Sequence, residues 1–309
     1  MNASQDMAKK QAAKNTSIVY QGEPGANSHL ACLHAFADLT PVAAATFEDA
    51  IAAIQSGTAR YAMIPIENSV AGRVTDIHHL LPESRLFIVG EHFERIRHQL
   101  LALPDAKMEN LKTVHSHTMA LGQCRVTMRD LGLVAVPEAD TAMSARMVKE
   151  SGDLTMAALS TELSAEINGL KIIKRDVEDA EHNTTRFVIL ADEPQAVENT
   201  GALVLTTFVF NVRNVPAALY KAMGGFATNG INMTKLESYQ LEGSFNATMF
   251  YADIEGHPDD RLVALAMEEL AFYSNEVRVL GTYAASPFRV ELKNQAEAKR
   301  LEEAETGGS

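Results

Sequence analysis

The apolar positions of this chain fall into short strand-like runs that alternate with stretches of helical spacing. Strands are expected over residues 17–20, 61–66, 85–90, 98–103, 111–115, 156–159, 171–173 and 185–190. Helices are expected over 30–37, 46–56, 74–81, 118–128, 141–150 and 160–167. The second of these places Phe47, Ala50, Ile51 and Ile54 on one face. Asp140 is positioned to cap the helix that Gly152 stops, and Gly169 ends the following one. Segment 91–97 carries alternating charges and reads as a crossing into a second lobe. Alternation of this kind predicts an α/β fold.

The pattern changes after a turn-rich stretch over 192–201. Strands over 202–212, 230–239, 245–254 and 276–283 enclose helices over 217–226 and 258–273, the first entered through Pro216. That order, βαββαβ, predicts a ferredoxin-like domain. Residues 1–15 read as a disordered tail with Met7 as a second start. Residues 284–309 read as a charged tail, frayed helix or disordered.

Two strand ends carry polar residues of a kind that build sites. The first runs Gln21-Gly22-Glu23-Pro24-Gly25-Ala26-Asn27-Ser28 into a helix, with Asn27 or Ser28 as the expected cap. It lacks the third glycine of a dinucleotide fold and the lysine of a P-loop. The second delivers Glu67-Asn68-Ser69-Val70-Ala71-Gly72 to the end of an apolar strand, where ligands of open α/β sheets bind. Ser116 is placed to cap the helix from Thr118, with Gln123 seven residues on and facing the same side. A third polar stretch, Glu181 to Arg186, runs directly into Phe187-Val188-Ile189-Leu190. It reads either as a capped strand start or as a pocket floor with a proton donor. Thr184 and Thr185 face opposite sides of such a strand, so only one looks into a cleft, and Arg186 points away from Thr185.

Composition narrows the function. A length of 309 residues predicts two or three compact units. A formal charge of −13 argues against nucleic acid and membrane surfaces as partners, and it requires a locally positive pocket for any anionic substrate. The two cysteines, Cys32 and Cys124, lie far apart and form neither a disulfide framework nor a zinc motif. The histidines show no metal-ligand spacing, so no metal is expected. No signal peptide and no run of ~20 apolar residues is present, and a cytoplasmic location is expected.

Four motifs in order, Gly22 to Ser28, Pro65 to Gly72, Ser116-His117 with Gln123-Cys124, and Asn183-x-Thr185-Arg186-Phe187, resemble prephenate dehydratase. Asn214 to Leu219, Asn229 to Asn232 and Glu237-Ser238 resemble an ACT regulatory domain. The resemblance implies a catalytic domain over 16–191 with two lobes like type II periplasmic binding proteins. Lobe 1 would span about 16–94 and 180–191, and lobe 2 about 95–179. A linker over 192–201 would lead to an ACT domain over 202–283.

It implies decarboxylative dehydration of prephenate to phenylpyruvate without a cofactor, with Thr185 catalytic. Glu67, Asn68, Ser69, Ser116, His117, Gln123, Asn183, Arg186 and Phe187 would surround the substrate. Glu67 either helps catalysis or partners Arg186, and Phe187 reads as core more than as a stacking ring. Helix N-termini after Asn27, Ser69 and Ser116 would offer uncharged donors to the substrate carboxylates.

L-phenylalanine would bind at a subunit interface of a homodimer or homotetramer, against Ala217, Ala218, Leu219, Asn229, Gly230, Ile231, Asn232, Glu237 and Ser238. Two departures bear on this part: Ala217 stands where glycine is usual, and Tyr239-Gln240 stands where Arg-Pro is often found. Arogenate dehydratase, acting on the amino analogue, and a non-catalytic amino-acid sensor are the competing readings.

Overall fold

A computed structural model describes residues 16–180, 182–213, 215–240 and 247–306. The predicted tail over 1–15, Glu181, Asn214, the first residues of the strand expected from 245, and residues 307–309 lie outside them. The chain divides into two compact units. One joins the chain up to Ile77 with His92–Phe187; the other joins His78–Glu91 with the chain from Val188 onward.

Two mixed sheets form α/β lobes of the type II periplasmic-binding-protein kind. The first has strand order β2-β1-β3-β11-β5, made of β1 (Ser17–Gln21), β2 (Thr40–Ala44), β3 (Tyr61–Asn68), β5 (Phe87–Arg95) and β11 (Thr184–Ala191). A two-residue strand β4 (Gly72–Arg73) turns back on the end of β3, with Glu67 opposite Arg73. The helices α1 (Asn27–Ala35), α2 (Phe47–Gln55) and α3 (Thr75–Glu83) connect these strands.

The second sheet has order β10-β6-β9-β7-β8, from β6 (Gln99–Ala102), β7 (Thr113–His117), β8 (Val134–Glu138), β9 (Met156–Ser160) and β10 (Lys171–Lys174). Its helices are α4 (Thr118–Gln123), α5 (Arg125–Asp130), α6 (Thr141–Ser151) and α7 (Glu162–Asn168). Leu100, Leu111, Val114, Met128 and Leu159 fill one side of this sheet. Leu101, Ala145, Val148 and Ala165 fill the other. As expected, Asp140 caps α6, which ends at the left-handed Gly152.

Several local expectations are corrected. Strands β2 and β8 were not anticipated; each carries a proline, is largely exposed and occupies a sheet edge, where a missing N–H costs least. The supposed crossing at 91–97 is mostly strand, because its acidic residues find partners: Glu94 meets His34 at 2.9 Å and His92 at 3.1 Å. The helix expected over 118–128 breaks at Cys124 into α4 and α5. Neither Asn27 nor Ser28 caps α1, whose N-cap position is Ala26. Ser116 does not cap α4, a role taken by His117 through Nδ1. After Ser69 the chain enters the β4 turn before it reaches a helix.

The second unit contains the antiparallel sheet β13-β14-β12-β15, from β12 (Val204–Val212), β13 (Met233–Gln240), β14 (Ala247–Glu255) and β15 (Ser274–Ala284). With α8 (Ala218–Thr228) and α9 (Arg261–Tyr273) this is the predicted ferredoxin-like βαββαβ order. Phe208, Phe210, Phe226, Phe250 and Leu270 form its core. The segment His78–Glu91 belongs to the same unit, with the His78 ring edge-on to Tyr251 and His79 edge-on to Tyr239. The tail is ordered into a helix, α10 (Pro287–Thr306), anchored by Arg289, which holds the buried Glu91 carboxylate through two bonds of 2.9 Å. Among the described residues no helix is long and apolar enough to cross a membrane.

Candidate functional site

Strand β11 begins beside the end of β3, and this brings two of the polar motifs together. Asn68 is the centre. Its Oδ1 accepts from the backbone N–H groups of Val70 at 2.9 Å and Ala71 at 2.8 Å. That fixes which end of the amide is oxygen and turns Nδ2 inward. Nδ2 then donates to Asn183 Oδ1 at 2.8 Å and to Thr185 Oγ1 at 2.9 Å. Thr185 is therefore an acceptor from Asn68, and its own O–H remains available to a different acceptor.

The chain of amides continues. Asn183 Nδ2 donates to Gln123 Oε1 at 3.0 Å, and the same oxygen lies 2.9 Å from His98 Nε2. His98 was not among the expected site residues. Nothing in its sequence context marked it, since it opens an apolar strand run far from every motif. Burial pushes its imidazole below the ordinary histidine range, against the opposing pull of the Gln123 hydrogen bond and the Glu178 charge.

A cavity of about 300 Å³ opens beside this network. Val70, Thr118, Met119, Gln123 and Asn183 line it, together with Glu178 and Asp179. Both carboxylates are engaged by backbone donors: Glu178 by His98 N, Asp179 by Val126 N and Thr127 N. A second cavity of about 430 Å³, lined by His34, Glu94, Arg97 and Thr161 among others, contains none of the expected site residues.

The other expected substrate residues serve mainly to hold the loops. Ser69 Oγ donates to His182 O at 2.7 Å and accepts from Thr184 N at 3.0 Å. Ser116 is fully buried and donates to Leu159 O at 2.7 Å. His117 Nδ1 accepts from Met119 N at 3.3 Å. Arg186 is 2% exposed and reaches Glu67 Oε1 at 3.0 Å, the structural partnership considered for Glu67. Phe187 is 1% exposed and belongs to the core. The backbone donors after Ser69 are taken up by Asn68, so they are not the free anion cradle expected there.

No thiol competes as a nucleophile. Burial raises the Cys32 pKa to about 12 and pushes Cys124 up as well. Among the described residues no group of three or more His, Cys, Asp or Glu side chains is arranged so that it could hold a metal ion.

In the second unit, most of the expected effector residues occupy the two ends of α8, and Glu237 and Ser238 lie on β13. Ala217 is exposed with φ 60°, Ala218 is buried and Leu219 packs on the core. At the far end Asn229 Nδ2 donates to Gly225 O at 2.8 Å, Gly230 takes φ 67°, Ile231 packs on the core and Asn232 O accepts from Glu255 N. Glu237 lies 3.4 Å from Lys235 Nζ, and Ser238 is exposed on β13. The two ends of a helix of this length stand roughly 16 Å apart, so a single copy does not bring them together.

A family model described as prephenate dehydratase matches residues 18–195. A Komagataeibacter europaeus protein named bifunctional N-acyl-homoserine lactone acylase/prephenate dehydratase is 51% identical over 272 residues, covering 88% of this chain and 97% of that one. The chloroplastic arogenate dehydratase/prephenate dehydratase 1 of Arabidopsis thaliana is 35% identical over 280 residues, covering 86% and 71%. Among solved structures, prephenate dehydratase from Arthrobacter aurescens in complex with L-Phe is similar, with a TM-score of 0.80 and 28% identity over 93% of this chain and 99% of that one. A structure described as GqqA, a novel type of quorum quenching acylases, matches with a TM-score of 0.83 and 50% identity over 88% and 99%.

Proposed function

The chain belongs to the prephenate dehydratase family, a family of lyases, and from that premise we propose that it converts prephenate to phenylpyruvate, water and carbon dioxide. The ring C–O bond breaks as the hydroxyl leaves. The bond to the ring carboxylate breaks with it, and its electron pair completes the aromatic ring. Aromatisation supplies the driving force, so the protein has to hold two carboxylates and assist the leaving hydroxyl.

The observation that carries this reading is the saturated carboxamide of Asn68. It donates to Thr185 Oγ1, which frees the Thr185 proton for the leaving oxygen and stabilises the charge that builds on Oγ1 as the proton shifts. An aliphatic hydroxyl is too weak an acid to act without such support. Asn68, Asn183 and Gln123 hold the site; Ser69, Ser116, His117 and the Glu67–Arg186 pair brace it.

We read the ferredoxin-like part, over 202–283, as an ACT module that binds L-phenylalanine and regulates the lyase. The βαββαβ order supports this, as does the L-Phe bound to the Arthrobacter relative. The separation of the residues at the two ends of α8 supports a site completed by a second copy, in a homodimer or homotetramer. Arogenate, the amino analogue, is the second candidate substrate, given the Arabidopsis relative. The 51% identity to the bifunctional relative adds N-acyl-homoserine lactone acylase activity as a second reading, tested by release of free homoserine lactone.

One assay tests the main proposal: product formation from prephenate and from arogenate, with and without L-phenylalanine. The wild type and Thr185→Ser are expected to turn over prephenate. Thr185→Ala is expected to lose a factor of ~10²–10⁴ in kcat. Near-wild-type turnover by Thr185→Ala would remove Thr185 from the acid role. Prephenate binding without product would leave a sensor rather than an enzyme.

A further inference from the structure

His98 is buried at 2% exposure, and the proposed chemistry leaves it unused. Its Nε2 lies 2.9 Å from Gln123 Oε1, and its backbone N–H donates to Glu178 Oε2 at 2.9 Å. Gln123 Oε1 also accepts from Asn183 Nδ2 at 3.0 Å. A carboxamide oxygen has two lone pairs, and with His98 Nε2 as the donor both are occupied. The amide of Gln123 can then face the cavity only with its two N–H donors. The terminal torsion of a glutamine is broad and roughly two-fold, so without a second partner the oxygen could swing outward instead.

We infer that His98 is a positioning residue that holds the Gln123 carboxamide with its N–H donors toward the cavity, where they meet a carboxylate or carbonyl oxygen of the substrate. The role requires the neutral Nε2–H tautomer. Burial supports that state by disfavouring the imidazolium. Glu178 and Asp179, which line the same cavity, accept backbone N–H groups from His98, Val126 and Thr127. The substrate part of the inference rests on the dehydratase reading given above.

The test combines kinetics and a spectroscopic signature on the full chain. His98→Leu removes the donor, and His98→Gln restores an N–H near the position of Nε2. With prephenate, His98→Leu is expected to raise KM about tenfold with a smaller change in kcat, and His98→Gln is expected to recover most of the loss. In a Gln123→Ala background, His98→Leu should cost little more, because the group it positions is already gone. Equal costs in both backgrounds, or an unchanged KM in His98→Leu, would overturn the inference. Nitrogen-15 histidine NMR reads the same geometry without turnover. His98 should appear as a neutral Nε2–H ring whose signal shifts on Gln123→Ala. An Nδ1–H tautomer, or a signal indifferent to Gln123, would overturn the inference even in a folded, inactive protein. If the wild type turned over neither prephenate nor arogenate while the NMR signature held, the dehydratase reading would fall and the positioning of Gln123 would stand.

Discussion

Ala217 shows what one residue can report. It sits at the N-cap of α8 with φ 60° and ψ 24°, the left-handed region. An L side chain there brings Cβ against the following carbonyl and costs roughly 1–2 kcal/mol. The departure from the usual glycine, visible in the sequence, thus has a structural consequence, namely local strain at a helix entrance. Ala217→Gly is expected to stabilise the protein by about 1 kcal/mol, the relief of strain being partly offset by the freer unfolded chain. A thermal melt should rise by roughly 2–4 °C, and an unchanged or lower midpoint would show that the turn is not strained. Other residues were less legible. Ser116 and Phe187 carry the right motif identities, yet each side chain is consumed by the interior. Motif membership records that a residue is needed, and only packing separates a group that faces a cavity from one that braces the backbone behind it. His98 is the converse case, invisible in sequence because its partner Gln123 is 25 residues away.

At the scale of elements, what was legible followed hydrophobic pattern and end signals. Helices with an Asp or Thr cap and a terminal glycine, such as α6 and α7, came out as expected, because each signal lies within the helix itself. The edge strands β2 and β8 did not, since their pairing comes from neighbours and not from their own residues. Strand β5 is more instructive. Its charges suggested a crossing, but Glu91 and Glu94 each meet a partner distant in sequence, Arg289 in one case and His34 in the other. Such pairs set the limit of reading a strand by alternation alone. The same unit that holds Glu91 and Arg289 contains a tight approach. A Cβ on Gly281 of β15 would come 1.9 Å from the Ile88 carbonyl oxygen. That contact explains why glycine interrupts an otherwise β-favouring strand. Gly281→Ala is expected to destabilise the protein by at least ~1–3 kcal/mol, as overpacking against backbone does. Urea unfolding should show a lower midpoint, and a wild-type midpoint would mean that β15 and the Ile88 strand move apart at little cost.

For the whole molecule, an acidic chain with a net charge of −13 still places buried titratable groups where protons work against folding. Burial lowers the His98 pKa below the ordinary value of about 6.5. The unfolded chain then takes up a proton near that pH that the folded chain refuses, so stability is full above about 6.5 and declines as pH falls toward the folded value. Glu94 acts in the same direction lower down. Burial raises its pKa, but the hydrogen bonds from His92 and His34 and their charges outweigh burial and hold it below the ordinary glutamate value. Its contribution is present above about 4.5 and is lost as pH falls through the folded value. Acid should therefore weaken the fold in two stages, the first set by His98 and the second by Glu94. Denaturant unfolding at pH 7.5, 6.0 and 5.0 checks the first stage. The wild type should lose stability progressively over this range, while His98→Gln, which cannot titrate, should lose distinctly less. Parallel losses in the two proteins would mean that His98 binds a proton equally well folded and unfolded, and the neutral imidazole at the back of the amide network would have to be abandoned.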